Sequence, residues 1–292
     1  IGRIGSNAVA SVGAAGMYMW FANGIAVLAK MGGQVKVGHA LGAGEQEQAR
    51  GYARNAIQLS LFFGLFYGII CLLFQGPLIG FFRLNSKTVI QDAEVYLAIT
   101  CGLVIFSFLN QVFTGILTAM GNSRTSFLAT AIGLVINIIL DPILIFGIGP
   151  FPQMYVAGAA IATVFAQFVS VVCSVVVLRK QDMPIEFSRE QCRIYKEELG
   201  KILNVGVPIA LQETTVQISF LVVNSVINQM GLMPSAGYGI AQKIVSFIML
   251  VPSSIMQSVS AFVAQNIGAR KKSRAWKGFY TAIITGCSVG II

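Results

Sequence analysis

The sequence predicts an all-α polytopic membrane protein made of two parallel repeats. Three observations carry that prediction: too little charge for a water-facing surface, apolar stretches of membrane-spanning length, and an ungapped internal repeat. Of 292 residues, 55% are apolar and only 11% charged, with a mean hydropathy of +0.76. A chain of this composition cannot clothe a soluble domain in polar groups. It has material for roughly eight helices of about 20 apolar residues each. The net charge of +9 would suggest nucleic acid in a soluble protein. Here the basic residues cluster between apolar runs and read as topology signals, so the lipid bilayer is the expected partner and no nucleic acid is expected.

In chain order the apolar stretches fall at about 8–41, 50–75, 91–119, 125–149, 154–178, 203–230, 235–267 and 275–292. Each is separated from the next by residues that end helices: Gly42-Ala43-Gly44, Gly121-Asn122-Ser123-Arg124, the Gly147 to Pro152 segment, and Gly231 to Pro234. One connection, 179–202, is long, charged and amphipathic (Ile185, Phe187, Ile194, Leu199), and is read as the linker between two helical bundles. Alternate loops differ in charge. The set near 42–54, 121–126, 179–201 and 268–277 carries fourteen Lys/Arg, and the intervening set carries three. The first set is therefore expected in the cytoplasm.

A shift of 226 residues aligns the chain with itself without a gap, matching Val37 to Ala43 (VGHALGA) with Val263 to Ala269 (VAQNIGA) and giving 11 identities in 55 positions between 10 and 64. Six spans separate the copies, an even number, so both repeats have the same orientation. This is a parallel repeat about an axis along the membrane normal. The five cysteines show no Cys-x-x-Cys or Cys/His spacing and are read as small apolar filler, with Cys192 in the polar linker. Ile1 opens in a Gly/Ser/Asn loop, and Ile292 closes within an apolar run.

Read together, GRIGSNAVASVG, VGHALGAGEQEQARGYARNA, TGILTAMGNSRTSFLATAIGLVINIILDPILIFGIG, VAGAAIATVFAQ, GVPIALQET and SAFVAQNIGARKKSRA resemble the multidrug and toxic compound extrusion (MATE) family, in its DinF-like branch. The resemblance covers essentially the whole chain. It implies two six-helix bundles, incomplete at both ends: helices 2–6 in 1–178, a cytoplasmic linker at 179–202, and helices 7–9, truncated, in 203–292. It also implies a multi-pass protein of the plasma (inner) membrane, functional as a full-length monomer. Its activity would be export of organic, often cationic compounds in exchange for sodium ions or protons, without a further cofactor.

The candidate residues follow from charge inside the spans. Of eleven acids only Asp141 and Glu213 lie there, where an ionised group is expensive and marks function. Asn137 and Asp141 are four apart on one helix face. Pro142 frees the carbonyl of Ile138, so carboxylate, amide and carbonyl oxygens converge on a site for a small hard cation such as sodium, or for a proton. The resemblance adds Thr163 on the next helix, and an Asp on helix 1 that would lie upstream of Ile1. Glu213, Gln217, Asn224 and Asn228 fall within about 60° of one another on a helical wheel and suggest a water-filled cavity. The helix-7 glutamate of NorM-like members matches Val216, so no cation role is transferred to Glu213. Lys30 and Lys243, deep in their spans, are further cavity candidates. Met17, Met19, Met249 and Met256, with Phe21 and Phe247, suit an adaptable pocket. His39 is expected at a cytoplasmic helix end.

Two other functions compete with export. A lipid-linked sugar flippase would favour a more basic cavity. An intramembrane enzyme would need a nucleophile or metal cluster that a lone His39 does not supply. No Gly-x4-Gly-Lys-Ser/Thr nucleotide motif is present.

Overall fold

The computed structural model describes residues 5–82, 84, 86–180, 196–229 and 232–291, which form ten helices and no strand. α1 (Ser6–Gly42) and α2 (Gln46–Leu73) are followed by the short α3 (Gln75–Gly80). Next come α4 (Lys87–Gly102), α5 (Ile105–Ala119), α6 (Ser123–Phe146) and α7 (Tyr155–Lys180). The last three are α8 (Lys196–Gln229), α9 (Leu232–Gly268) and α10 (Lys272–Ile291). The glycine-rich breaks act as anticipated: Gly44, Gly121 and Gly147 take positive φ, and Asn122 caps α6 by accepting from the Thr125 amide at 3.3 Å.

Two features differ from the eight-span reading. The stretch 91–119 is a pair of helices, α4 and α5, bent by 41° at Leu103–Val104. The eighth stretch is helical, but α10 opens with Lys272, Arg274 and Lys277 and does not reach the apolarity of a span. Six described helices can cross a membrane by length and composition, or seven with the bent pair counted as one. Part of the proposed linker is also helical, since α8 begins at Lys196; residues 181–195, with Ile185, Phe187, Cys192 and Ile194, lie outside the described residues.

The repeat is visible in the helix boundaries. α1 and α9 are both 37 residues long, and an offset of 226 relates Ser6 to Leu232, Gly42 to Gly268, and the first residue of α2 to that of α10. α1 is the central strut, against which α2, α4, α5, α8 and α9 all pack. Its small residues permit this: a Cβ on Gly33 would sit 2.7 Å from the Ala56 Cβ of α2, and one on Gly115 of α5 would lie 2.9 Å from the Lys30 carbonyl oxygen. Between membrane helices, dispersion at such close approach replaces the hydrophobic drive available in water.

The main core joins Val37, Ala53, Ile57, Phe113, Ile116 and Leu178, and it also takes in Ile202 of α8. Leu199 and Leu203 pack against this core, and Gly206 lies against the Leu28 backbone. Asn55 Nδ2 donates to Glu198 Oε2 at 3.0 Å. The first turns of α8 are thus set into the first set of helices. Beyond Pro208 most of the described side chains of α8 are exposed. The outer surfaces of α2 and α6 present Phe62, Phe66, Leu73, Phe127, Leu134 and Ile138, the apolar face a bilayer solvates.

Candidate functional site

On α6, Asn137 Nδ2 donates to Asp141 Oδ1 at 3.4 Å, with both side chains partly buried. Pro142 lies inside the helix, leaving the Ile138 carbonyl without an intrahelical amide. α7 runs antiparallel to α6. A Cβ on Gly158 would meet the Leu144 carbonyl oxygen at 2.6 Å, and one on Gly133 the Ala166 carbonyl oxygen at 2.8 Å. These two contacts set the register and bring Thr163 level with the turn that holds the pair. Its hydroxyl donates to the Ala159 carbonyl at 2.9 Å, leaving the oxygen lone pairs available. Carboxylate, amide, hydroxyl and main-chain oxygens are a hard-donor set suited to Na⁺ or a proton. No group of three or more His, Cys, Asp or Glu able to hold a metal ion occurs among the described residues.

A cavity of about 500 Å³ lies between α1, α4, α8 and α9. Met17, Trp20 and Phe21 form its apolar wall, and Tyr96, Thr214, Gln217, Asn224 and Gln242 supply polar groups. Tyr96 of α4 lines the cavity and is within electrostatic reach of Asp141.

The cavity involves the 12–24 part of α1; farther along, the α1–α9 seam is closed. Lys30 Nζ donates to Gln257 Oε1 at 2.7 Å, and Gln34 Nε2 to the Gln257 carbonyl at 2.9 Å. Gly42 then meets the Gln265 backbone and Gly268 meets that of His39, reciprocal contacts related by the 226 offset. Gly38 and Ala264, themselves equivalent, meet near the axis: a Cβ on Gly38 would lie 3.4 Å from the Ala264 Cβ. Gln265 Nε2 closes the end by donating to the Ala119 carbonyl at 2.5 Å.

The family model MatE matches residues 1–143 and 208–292. The chain belongs to the MatE family. Among its relatives, probable multidrug resistance protein YoeA of Bacillus subtilis is 29% identical over 83% of this chain and 53% of its own length. An FAD transporter of Shewanella oneidensis is 26% identical over 94% and 61%. Probable multidrug resistance protein NorM of Thermotoga maritima is 26% identical over 100% and 63%. The chain therefore spans between 53% and 63% of the length of these relatives. Among solved structures, a MOP superfamily transporter from Pyrococcus furiosus superposes with a TM-score of 0.88 at 24% identity, over 100% of this chain and 64% of that one, and shares the fold. These relatives are named as multidrug resistance proteins and an FAD transporter, not as enzymes, and this MatE chain is a multi-pass membrane protein.

Within the MatE fold the sequence candidates separate. Asn137 and Asp141 are hydrogen-bonded, Thr163 lies level with them on α7, and Gln217 and Asn224 line the cavity with Met17 and Phe21. Glu213 does not line it; the carboxylate is partly buried and acts electrostatically on Lys30. Lys30 belongs to the α1–α9 seam. Lys243 is exposed, next to the lining residue Gln242. Phe247 and Met249 are exposed, and Met256 borders a separate groove with His39. The side chain of Asn228 lies outside the described residues. Tyr96 and Gln257 were missed. Tyr96 is the single tyrosine of its stretch, and Gln257 follows Pro252 by five residues just as Glu213 follows Pro208, so both carried a signal.

Proposed function

We propose that this MatE chain is part of a secondary active exporter that expels organic compounds, often cationic, in exchange for sodium ions or protons, functional as a monomer of two six-helix bundles. The observation that carries the reading is the Asn137–Asp141 pair beside Pro142, together with a cavity of about 500 Å³ with apolar and polar walls, lined by Tyr96 within electrostatic reach of Asp141. The driving cation binds oxygens of Asp141, Asn137 and Thr163. Neutralising Asp141 changes the field at Tyr96, and through it the cavity wall, so cation and substrate favour different bundle arrangements.

Energetically, one monovalent cation entering through about 100 mV releases about 2.3 kcal/mol, and a tenfold gradient costs about 1.4, so one cation supports a roughly fifty-fold gradient of a neutral substrate. Lys30 is engaged by Gln257 and Lys243 is exposed, and among the described residues no cation lines the cavity. This favours cationic or neutral cargo over a lipid-linked sugar phosphate. The test is Asp141→Asn in proteoliposomes loaded with a fluorescent cationic dye under an imposed sodium or proton gradient. Gradient-driven efflux is expected to vanish while dye binding persists. Efflux at the unmodified rate would make Asp141 structural.

A further inference from the structure

We propose that Cys71 and Cys101 form a redox-active dithiol whose oxidation to a disulfide pins α4 to α2 at the bend of the third span. Thirty residues apart and without a recognisable spacing, the two cysteines carry no signal in the sequence. The fold brings them face to face. α2 and α4 run antiparallel at very close range: a Cβ on Gly68 would lie 3.0 Å from the Gly102 carbonyl oxygen and 3.2 Å from that of Cys101, and one on Gly102 would lie 2.9 Å from Leu72 Cδ2. These contacts bracket the pair, so Cys71 stands opposite Cys101, both closed into one buried cluster with their thiols near enough to interact. Glycine-to-backbone packing of this kind brings opposing Cα atoms towards the roughly 4.4–6.8 Å that a disulfide bridges. Both sulfurs are free thiols in this structure, enclosed with Ile79, Ala93 and Leu97.

The position matters because Cys101 immediately precedes the 41° break at Leu103–Val104, and α4 also presents Tyr96 to the cavity. A covalent bond to α2 would hold the end of α4 and remove the freedom of the bend. The buried, apolar surroundings of the pair exclude charged, water-soluble oxidants, so the matching oxidant is a bilayer-soluble quinone reaching the sulfurs through local opening of the helices. Both S–H bonds break and one S–S bond forms; the two electrons and two protons pass to the quinone, which leaves as the hydroquinone. Reduction by a dithiol reverses the change.

The experiment exposes the protein in liposomes to a fully substituted quinone, which has no ring position open to thiol addition. Free thiols are then alkylated under denaturing conditions and the peptides are mapped by mass spectrometry. The expected result is a Cys71–Cys101 linked peptide, with Cys173 and Cys287 still alkylated, and loss of dye efflux that returns on reduction. Cys71→Ser and Cys101→Ala proteins should keep their efflux under quinone, the second variant serving should the first not fold. Full alkylation of both cysteines after treatment would overturn the dithiol, and a linked peptide with undiminished efflux would overturn the pinning. The peptide map does not depend on transport, so a protein that exports nothing even when untreated defeats the exporter reading and leaves the disulfide to be decided by the map.

Discussion

Replacing Gln257 with leucine tests whether the seam between α1 and α9 is held by chemistry or only by shape. The substitution removes the acceptor of the 2.7 Å bond from Lys30 Nζ, while the main-chain carbonyl that accepts from Gln34 at 2.9 Å survives. A hydrogen bond from a charged donor contributes about 1.5–3 kcal/mol net. Lys30 is only partly buried and has Glu213 within electrostatic reach, so hydration compensates part of the loss and the lower figure applies. About 1.5 kcal/mol corresponds to roughly a tenfold shift towards separated helices. Spin labels at Gln48, in the first turn of α2 just beyond α1, and at Arg270, just beyond α9, are both exposed and would report the populations in bilayers as a distance distribution. Lys30→Met should produce the same shift, and the double variant little more than either alone. Independent effects adding to within about 0.3–0.5 kcal/mol would refute the bond as a tie between the helices.

Two further outcomes are expected. Gly133→Val places a branched side chain against Ser170 and the Ala166 carbonyl, so it should destabilise the α6–α7 pair by about 1–3 kcal/mol and lower the thermal midpoint in detergent; an unchanged midpoint would mean the register given by these contacts is wrong. In sided cysteine labelling of intact cells, Lys87 and Gln153 should react from outside and Arg124 only after permeabilisation, and the reverse pattern would invert the topology.

The helices and their order were legible because hydrocarbon sets a minimum apolar length and glycine ends helices in recognisable ways. The register of the repeat was legible because α1 and α9 share a length and a glycine at the same end. The break at Leu103–Val104 was not, since it lies between Gly102 and Ile105 without a proline. It coincides with the close approach of α2, which only the fold reveals. Asp141 and Asn137 could be paired because four residues on a helix is a local distance. Lys30 and Gln257 could not, being 227 residues apart. The start of α8 looked like linker because Leu199 and Ile202 sit among charges; their burial depends on a core assembled from α1, α2, α5 and α7.

That burial has a mechanical consequence. A rigid swing of all of α8 away from α1 would pull Ile202 out of its core, at about 1.5–3 kcal/mol for the side chain alone, and would break the Glu198–Asn55 bond. Bending after Gly206 avoids both losses, because Pro208 has already removed one hydrogen bond of the helix ladder. The segment from Lys196 to Gly206 then behaves as a fixed post and the remainder of α8 as a lever. A small rotation at the proline is magnified along the helix to Asn224, moving the wall of the cavity while the root of the lever stays in place.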